Sequence, residues 1–478
     1  MMKRRIFSLL LAVLLCLQAF SGAAWATDEE EPILEGTPGI QGLMAQQSLA
    51  GPEDLNLDGE AVLLYEMTTG TMVYAKNIDT QREPASLTKV MTCLLALKHG
   101  NPEDSITVSA GALSNMDPEG SSAGLLVDET YTLEQLLFML MVRSANDAAA
   151  VIAEHIGGSQ ISFVDMMNTE AVELGCENTH FENAHGLHED NHYTTARDTA
   201  IILEAALAYP LFGELYAAGT YQAPSTEQQG GRTFYSTNYL ITDATTSGYL
   251  DSRVIGGITG FTTPAGRCVA CVAEYESLRY LVVVLGASDQ NDENGNPVYT
   301  NLRSASALLD YACETYRAER VLSADTALTP IPVSYGDGDV TPITVSGVTA
   351  LLPTGYDETL LRTEVTLPDG RLIAPITTGS EIGTADVYYD SFLLGTVPLT
   401  ASNDVALVDT SAEPEDPNQE SSSQRTLRLT VTVIFSIIGG SALILLLLMI
   451  RASIIRSLRK RRKQRLRAQK KAQAARRR

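Results

Sequence analysis

Apolar residues recur along this chain with two periods. Segments 61–66 and 71–75 are short apolar and β-branched runs on either side of a Thr-Thr-Gly turn, and read as two strands. Over 86–98, 133–142, 147–155 and 161–174 the apolar positions fall three and four apart, the spacing of helices. Segments 269–274 and 279–285 then read as a hairpin of strands, and 301–316 closes as a helix. Strands at both ends of a stretch with helices between them predict an α/β domain, residues 50–320, whose sheet joins the two ends. From about Ala327 the texture changes. Short β-branched runs at 343–348, 364–367 and 386–389 are divided by Gly, Pro and Asp, which predicts a small all-β second domain over 327–410.

The ends follow other rules. Lys3, Arg4 and Arg5 precede an apolar run over 6–20, and Ala24-Trp25-Ala26 has the small-x-small form of a cleavage site, so residues 1–26 read as a secretory signal. Residues 411–426 are polar, with Pro414 and Pro417, and read as a linker. The following segment, 427–450, includes 22 uncharged residues from Leu429 to Ile450, enough to cross a hydrocarbon core of about 30 Å as a transmembrane helix. Residues 451–478 hold 14 Lys or Arg and no acid. A basic tail stays on the cytoplasmic side, so the domains before the span are expected outside, at the surface of a cell membrane crossed once.

Charge sharpens this picture. The net charge of −24 combines a basic tail with 17 basic and 58 acidic residues elsewhere beyond the signal, a balance of −41. Such a surface repels polyanions, and nucleic acid is not an expected partner. Five cysteines remain after residue 26, an odd number with no disulfide spacing. Cys268 and Cys271 form C-x-x-C, but on a strand their side chains point to opposite faces, so buried free thiols are expected.

Three short motifs carry chemistry. Ser86-Leu87-Thr88-Lys89 is an S-x-x-K at a helix start, where positions three apart share a face and a desolvated lysine could take the serine proton. Ser144-Ala145-Asn146 is an S-x-N between two helical segments, and Ile258-Thr259-Gly260 precedes the strand hairpin. Each is weak alone: Ser457-Leu458-Arg459-Lys460 also fits the first pattern and Ser236-Thr237-Asn238 the second. Their order, with 58 residues from Ser86 to Ser144 and 114 from Ser144 to Ile258, gives the set its weight.

The set resembles the penicillin-binding-protein and β-lactamase superfamily, whose motifs are S-x-x-K, S-x-N and K-T-G. It is most similar to the serine-type D-alanyl-D-alanine carboxypeptidases, the low-molecular-mass penicillin-binding proteins. Glu83 to Lys89, Ser144 to Ala149, Phe181 to Leu187 and His192 to Asp198 carry that likeness, which covers about 58–316. The β-rich segment resembles the family's second domain. The resemblance implies Ser86 as nucleophile, Lys89 as its base, and Ser144 and Asn146 as proton relay and peptide anchor. Thr259 would contact the substrate's terminal carboxylate beside Gly260. The N–H groups of Ser86 and Phe261 would form an oxyanion hole. Implied partners are peptidoglycan stem peptides and β-lactam antibiotics, with no cofactor or metal.

Ile258 departs from the pattern, because a lysine is expected there. Without that cation, carboxylate binding should weaken and Lys89 should hold its proton to higher pH. Arg267 and Arg303 are the cations available to replace it. A weakened wall-peptide-binding module and a β-lactamase are the competing readings. The cluster His185, His188, Glu189, Asp190 and His192 has spacing a zinc site could use, but no His-Glu-x-x-His helix accompanies it.

Overall fold

A computed structural model describes residues 55–408 apart from 115, 118–119 and 243–247. The signal, linker, membrane span and basic tail expected from the sequence lie outside these residues. Among the described residues no single helix is long and apolar enough to cross a membrane.

The first half of the described residues is built around one five-stranded antiparallel sheet. Strands β1 (Ala61–Glu66) and β2 (Thr71–Lys76) open it. Helices α1 (Lys89–His99), α2 (Leu133–Val142), α3 (Asn146–Gly157), α4 (Gln160–Glu173), α5 (Ala196–Leu207) and α6 (Pro210–Ala217) follow. The chain then returns to the sheet as β3 (Val254–Thr262), β4 (Gly266–Tyr275) and β5 (Leu278–Ala287). The strand order is β2-β1-β5-β4-β3. Ala61 pairs with Leu285 and Glu66 with Tyr280, so the sheet does join the two ends of the segment.

A hairpin of β6 (Asp289–Asn291) and β7 (Pro297–Tyr299) leads into α7 (Thr300–Thr315). Helices cover both faces of the sheet. Strand alternation therefore divides the apolar side chains between two clusters, one holding Leu63, Ile258, Cys268 and α1, the other Val62, Cys271, Val282 and α7. Cys268 and Cys271 do face opposite sides, and all five described cysteines are buried and free.

Two differences from the sequence pattern bear on the site. The helix expected from residue 86 begins as a 3₁₀ turn, Ala85–Thr88, and becomes α-helical only at Lys89. Strand β3, which has Gly256, Gly257 and Gly260 among its nine residues, was not marked by β-branched alternation. Glycine weakens a strand signal, and here it marks close approach: a Cβ at residue 260 would lie 2.8 Å from the backbone nitrogen of Ser86.

The β-rich half starts at Tyr316, the first residue of β8 (Tyr316–Leu322), rather than where composition changes near Ala327. Its four-stranded sheet comprises β9 (Pro342–Thr344), β11 (Leu361–Thr366), β12 (Glu381–Tyr389) and β13 (Phe392–Ala401), while β10 (Val348–Pro353) pairs with β8. It has its own core, including Val340, Ala385, Val397 and Leu399.

Candidate active site

Ser86 lies in the 3₁₀ turn that enters α1, just after Ala85, whose φ of 48° is in the left-handed region. A non-glycine residue there stores strain of order 1 kcal/mol or more, so surrounding contacts must hold it. The 183–192 loop does so. Thr88 Oγ1 donates to Ala85 O at 2.9 Å and accepts from His192 Nε2 at 2.8 Å, while His192 Nδ1 accepts from the Glu182 N–H at 3.1 Å. Gly186, at φ 87°, presses against the same carbonyl: a Cβ there would sit 1.8 Å from Ala85 O.

Lys89 is one helical turn further, on the same side. Its Nζ is 3.0 Å from Ser86 Oγ and donates to His185 O at 2.6 Å. The side chain is fully buried. Burial pulls the amine down to about 7, although the carboxylate of Asp147 pulls the other way. The absent lysine of the third motif is therefore not needed to depress this pKa. Desolvation alone lowers it, and a cation at position 258 would add to that effect.

Helix α3 brings the second motif. Ser144 takes a left-handed φ of 56°, is 4 % exposed, and its Oγ has no hydrogen-bond partner among the described residues. Asn146 begins the helix, with Gly120 so close that a Cβ there would lie 2.7 Å from its amide nitrogen. Asp147 fixes the covering loop by accepting from Ser122 Oγ at 2.6 Å and from the N–H groups of Ala123 and Leu125 at 2.9 Å each.

Strand β3 is the sheet's edge and carries the third motif. Thr259 Oγ1 shares a hydrogen bond with Thr237 Oγ1 at 2.9 Å. Thr237 belongs to the second S-x-N match, which no residue spacing connected with this strand. Ile258 is 2 % exposed and sits in the apolar cluster with Ala85 and Leu87. Phe261 is 47 % exposed. Of the two candidate replacement cations, Arg267 lies beside the Phe261 ring, whereas Arg303 stands over Tyr249.

The histidine cluster has other duties. Both ring nitrogens of His192 are engaged as above, and His188 pairs with Glu83 at 3.1 Å. Burial takes His185 and His192 down to about 3. Among the described residues no three His, Cys, Asp or Glu side chains are grouped to hold a metal ion. A groove of about 750 Å³ beside Arg82, Glu83 and Asp289 does not include Ser86, Lys89 or Ser144 in its lining, so the reactive cluster is a separate feature.

The arrangement is a hydroxyl beside a buried amine of lowered pKa, with a second hydroxyl, unpartnered among the described residues, in the turn before the neighbouring helix and a strand edge against the nucleophile's N–H. That is a site for acyl transfer through a serine. Comparison with known proteins agrees. Residues 46–289 match the D-alanyl-D-alanine carboxypeptidase family and residues 316–407 match the penicillin-binding protein 5 C-terminal domain. D-alanyl-D-alanine carboxypeptidase DacF of Bacillus subtilis (strain 168) is 30 % identical over 368 residues, 76 % of this chain and 89 % of that protein. DacA of Escherichia coli (strain K12) is 27 % identical over 379 residues, 75 % of this chain and 89 % of its own. The crystal structure of penicillin-binding protein 5 from Haemophilus influenzae superposes with a TM-score of 0.59 at 27 % identity, over 75 % of this chain and all of that one. The chain belongs to the D-alanyl-D-alanine carboxypeptidase family, and its activity is that of a serine-type carboxypeptidase.

Proposed function

We propose that the chain removes the terminal D-alanine from peptidoglycan stem peptides, with Ser86 as nucleophile and Lys89 as its base. The observation that carries this is the buried Lys89 amine, 3.0 Å from Ser86 Oγ and titrating near 7. A neutral amine accepts the hydroxyl proton as Oγ bonds to the carbonyl carbon of the penultimate D-alanine. The N–H groups of Ser86 and Phe261 receive the oxyanion. Collapse breaks the C–N bond, and the leaving amine takes its proton from Lys89 through Ser144. Water, deprotonated in turn by Lys89, then cleaves the Ser86 ester. Asn146 orients the peptide, and Thr259 meets the terminal carboxylate along the β3 edge, where Gly260 gives the strand room to lie against Ser86. β-Lactams acylate the same serine. D-Alanine release from a peptide ending in D-Ala-D-Ala, followed against pH, tests this: kcat/KM rises as pH passes through about 7. A flat profile between pH 5 and 9 would remove Lys89 as the base.

Ile258 supplies a second test. Ile258→Lys places an ammonium at a position 2 % exposed, on the sheet face that packs against α1. A second cation disfavours protonation of Lys89, so the acid limb of the profile moves to lower pH. The protein melts at lower temperature, because a charge replaces a packed side chain. An acid limb that stays in place would show that residue 258 does not act on the base.

The remaining proposal concerns location. The signal over 1–26, the span over 427–450 and the basic tail support a catalytic domain held outside the cell membrane by one C-terminal helix. A chain lacking 429–478 is expected to be soluble and to keep its kcat/KM on small peptides. Loss of activity in a folded truncation would show that the anchor shapes the site.

A further inference from the structure

The walls of the reactive cleft come from separate parts of the chain. Ser144 and Asn146 stand on one, and strand β3, with Thr259 and the Phe261 N–H, forms the other. Building on the roles given to these residues above, we propose that Glu129 is a positioning residue for the reaction. Its buried carboxylate latches the hairpin that leads into Thr237 onto the loop that covers Asn146, and so sets the spacing between the two walls.

Hydrogen bonds run from one wall to the other. The Asn146 N–H donates to Ser121 O at 2.8 Å, and Ser121 Oγ donates to Arg143 O at 2.8 Å. With the bonds from Asp147 to Ala123 and Leu125, residues 121–125 are tied to the second motif. On the other side, strands Thr220–Ala223 and Arg232–Tyr235 pair as a hairpin. The chain leaves this hairpin directly into Ser236 and Thr237, and Thr237 Oγ1 shares its hydrogen bond with Thr259 Oγ1 at 2.9 Å.

Glu129 stands where loop and hairpin meet, and it is fully buried. On its own side it accepts from the Leu126 N–H at 2.7 Å and from the Tyr131 hydroxyl at 2.9 Å. From the turn of the hairpin it accepts from Thr226 Oγ1 at 2.6 Å, and Gln229 Nε2 reaches both of its oxygens at 2.8 Å. Arg232 adds two bonds of the same sense, to Ala123 O and Gly124 O at 2.7 Å each. Burial works against the charge of Glu129, but these four donors outweigh it and hold the carboxyl below its usual range. The latch has a firm base. Glu129 runs into the strand Thr130–Thr132, which pairs with Ser105–Thr107 and ends on the residue that caps α2.

The reacting pair is held by other contacts. Thr88 and His192 fix the turn before Ser86, and His185 O holds the Lys89 amine. Opening the latch therefore leaves Ser86 and Lys89 together and lets the hairpin, with Thr237, move away from the second motif. Glu129→Gln opens it without changing size. A carboxylate accepts through two oxygens and an amide through one, so either the Leu126 N–H or the hairpin's donors lose their partner.

The test is a mutant cycle on a peptide ending in D-Ala-D-Ala. Glu129→Gln is expected to lower kcat/KM about tenfold, with the acid limb of the pH profile still near 7 because Lys89 is untouched. Removing the hairpin's donors instead, as Thr226→Val with Gln229→Ala, gives a similar loss. All three substitutions together give little more than either set alone, because both sets break one latch. Hydrogen exchange of the amides over 220–235 quickens in Glu129→Gln while those of α1 keep their protection. Losses that simply multiply, or a hairpin as protected as in the native protein, overturn the assignment. Should Glu129→Gln fail to fold, the hairpin variant decides by itself: an unchanged kcat/KM there overturns it. Covalent labelling of native protein by a penicillin is measured alongside. Absence of label at Ser86 would overturn the nucleophile assignment and this one with it, whereas normal label with multiplying losses overturns Glu129 alone.

Discussion

Ser86→Ala is expected to abolish both D-alanine release and covalent penicillin labelling while the protein stays folded. The substitution removes one hydroxyl from a partly buried position and leaves the strained Ala85 turn and the Thr88–His192 hydrogen bonds that hold it. Lys89 loses its contact with Oγ but keeps the stronger one to His185 O. The cost in stability is therefore small, within about 1 kcal/mol. The cost in rate is large, because no neighbouring group can form the acyl bond, and losses of about 10⁴-fold or more follow when a nucleophile is removed. D-alanine assay, intact mass after exposure to penicillin, and thermal melting check the three parts. Undiminished labelling of the mutant would contradict the assignment of Ser86.

Lys89→Met is expected to act in opposite directions on activity and stability. Loss of the base lowers kcat/KM by about 10³-fold. Stability follows from the two titrations of the amine. In the unfolded chain Lys89 titrates near the ordinary lysine value of 10.5, and in the folded chain near 7 because burial disfavours the cation. Below pH 7 both states carry the proton, and the folded state bears the full cost of burying it. Between about 7 and 10.5 only the unfolded chain binds the proton, so native stability rises with pH across this window. Methionine removes that cost. Allowing for the His185 carbonyl left without its donor, the gain below pH 7 is about 2–4 kcal/mol and shrinks as pH rises toward 10. A melting temperature about 5 °C or more above the native value at pH 6, with a smaller difference at pH 9, is the expected result. A mutant that melts lower at pH 6 would show that the native site accommodates a charged Lys89.

Much of this was legible in the sequence where a local rule governs. Segments 61–66 and 133–142 coincide with β1 and α2 because alternation and helical spacing there are undisturbed by glycine. Ser86 and Lys89 meet because three-residue spacing brings side chains together in a helical turn. The opposed faces of Cys268 and Cys271 follow from strand alternation alone. The rest depended on tertiary contact. Strand β3 was not legible because its glycines are selected by the approach of Ser86, Tyr216 and Asn238, not by strand propensity. Thr237 joined the site only through its hydrogen bond to Thr259, 22 residues away. The roles of Ala85 O and His192 rest on a left-handed φ that no pattern of residue types signalled. The pKa of Lys89 could not be read from neighbours in sequence, because burial by the whole helical layer sets it.

The central claim is that Ser86 is acylated with Lys89 as its base. Peptide mapping by mass spectrometry after reaction with a penicillin, repeated across pH 5 to 9, tests it most directly. The account predicts one adduct per chain, on the peptide carrying Ser86, formed at a rate that climbs as pH passes about 7. An adduct on any other residue, or an unmodified Ser86 peptide in a protein that still releases D-alanine, would contradict it.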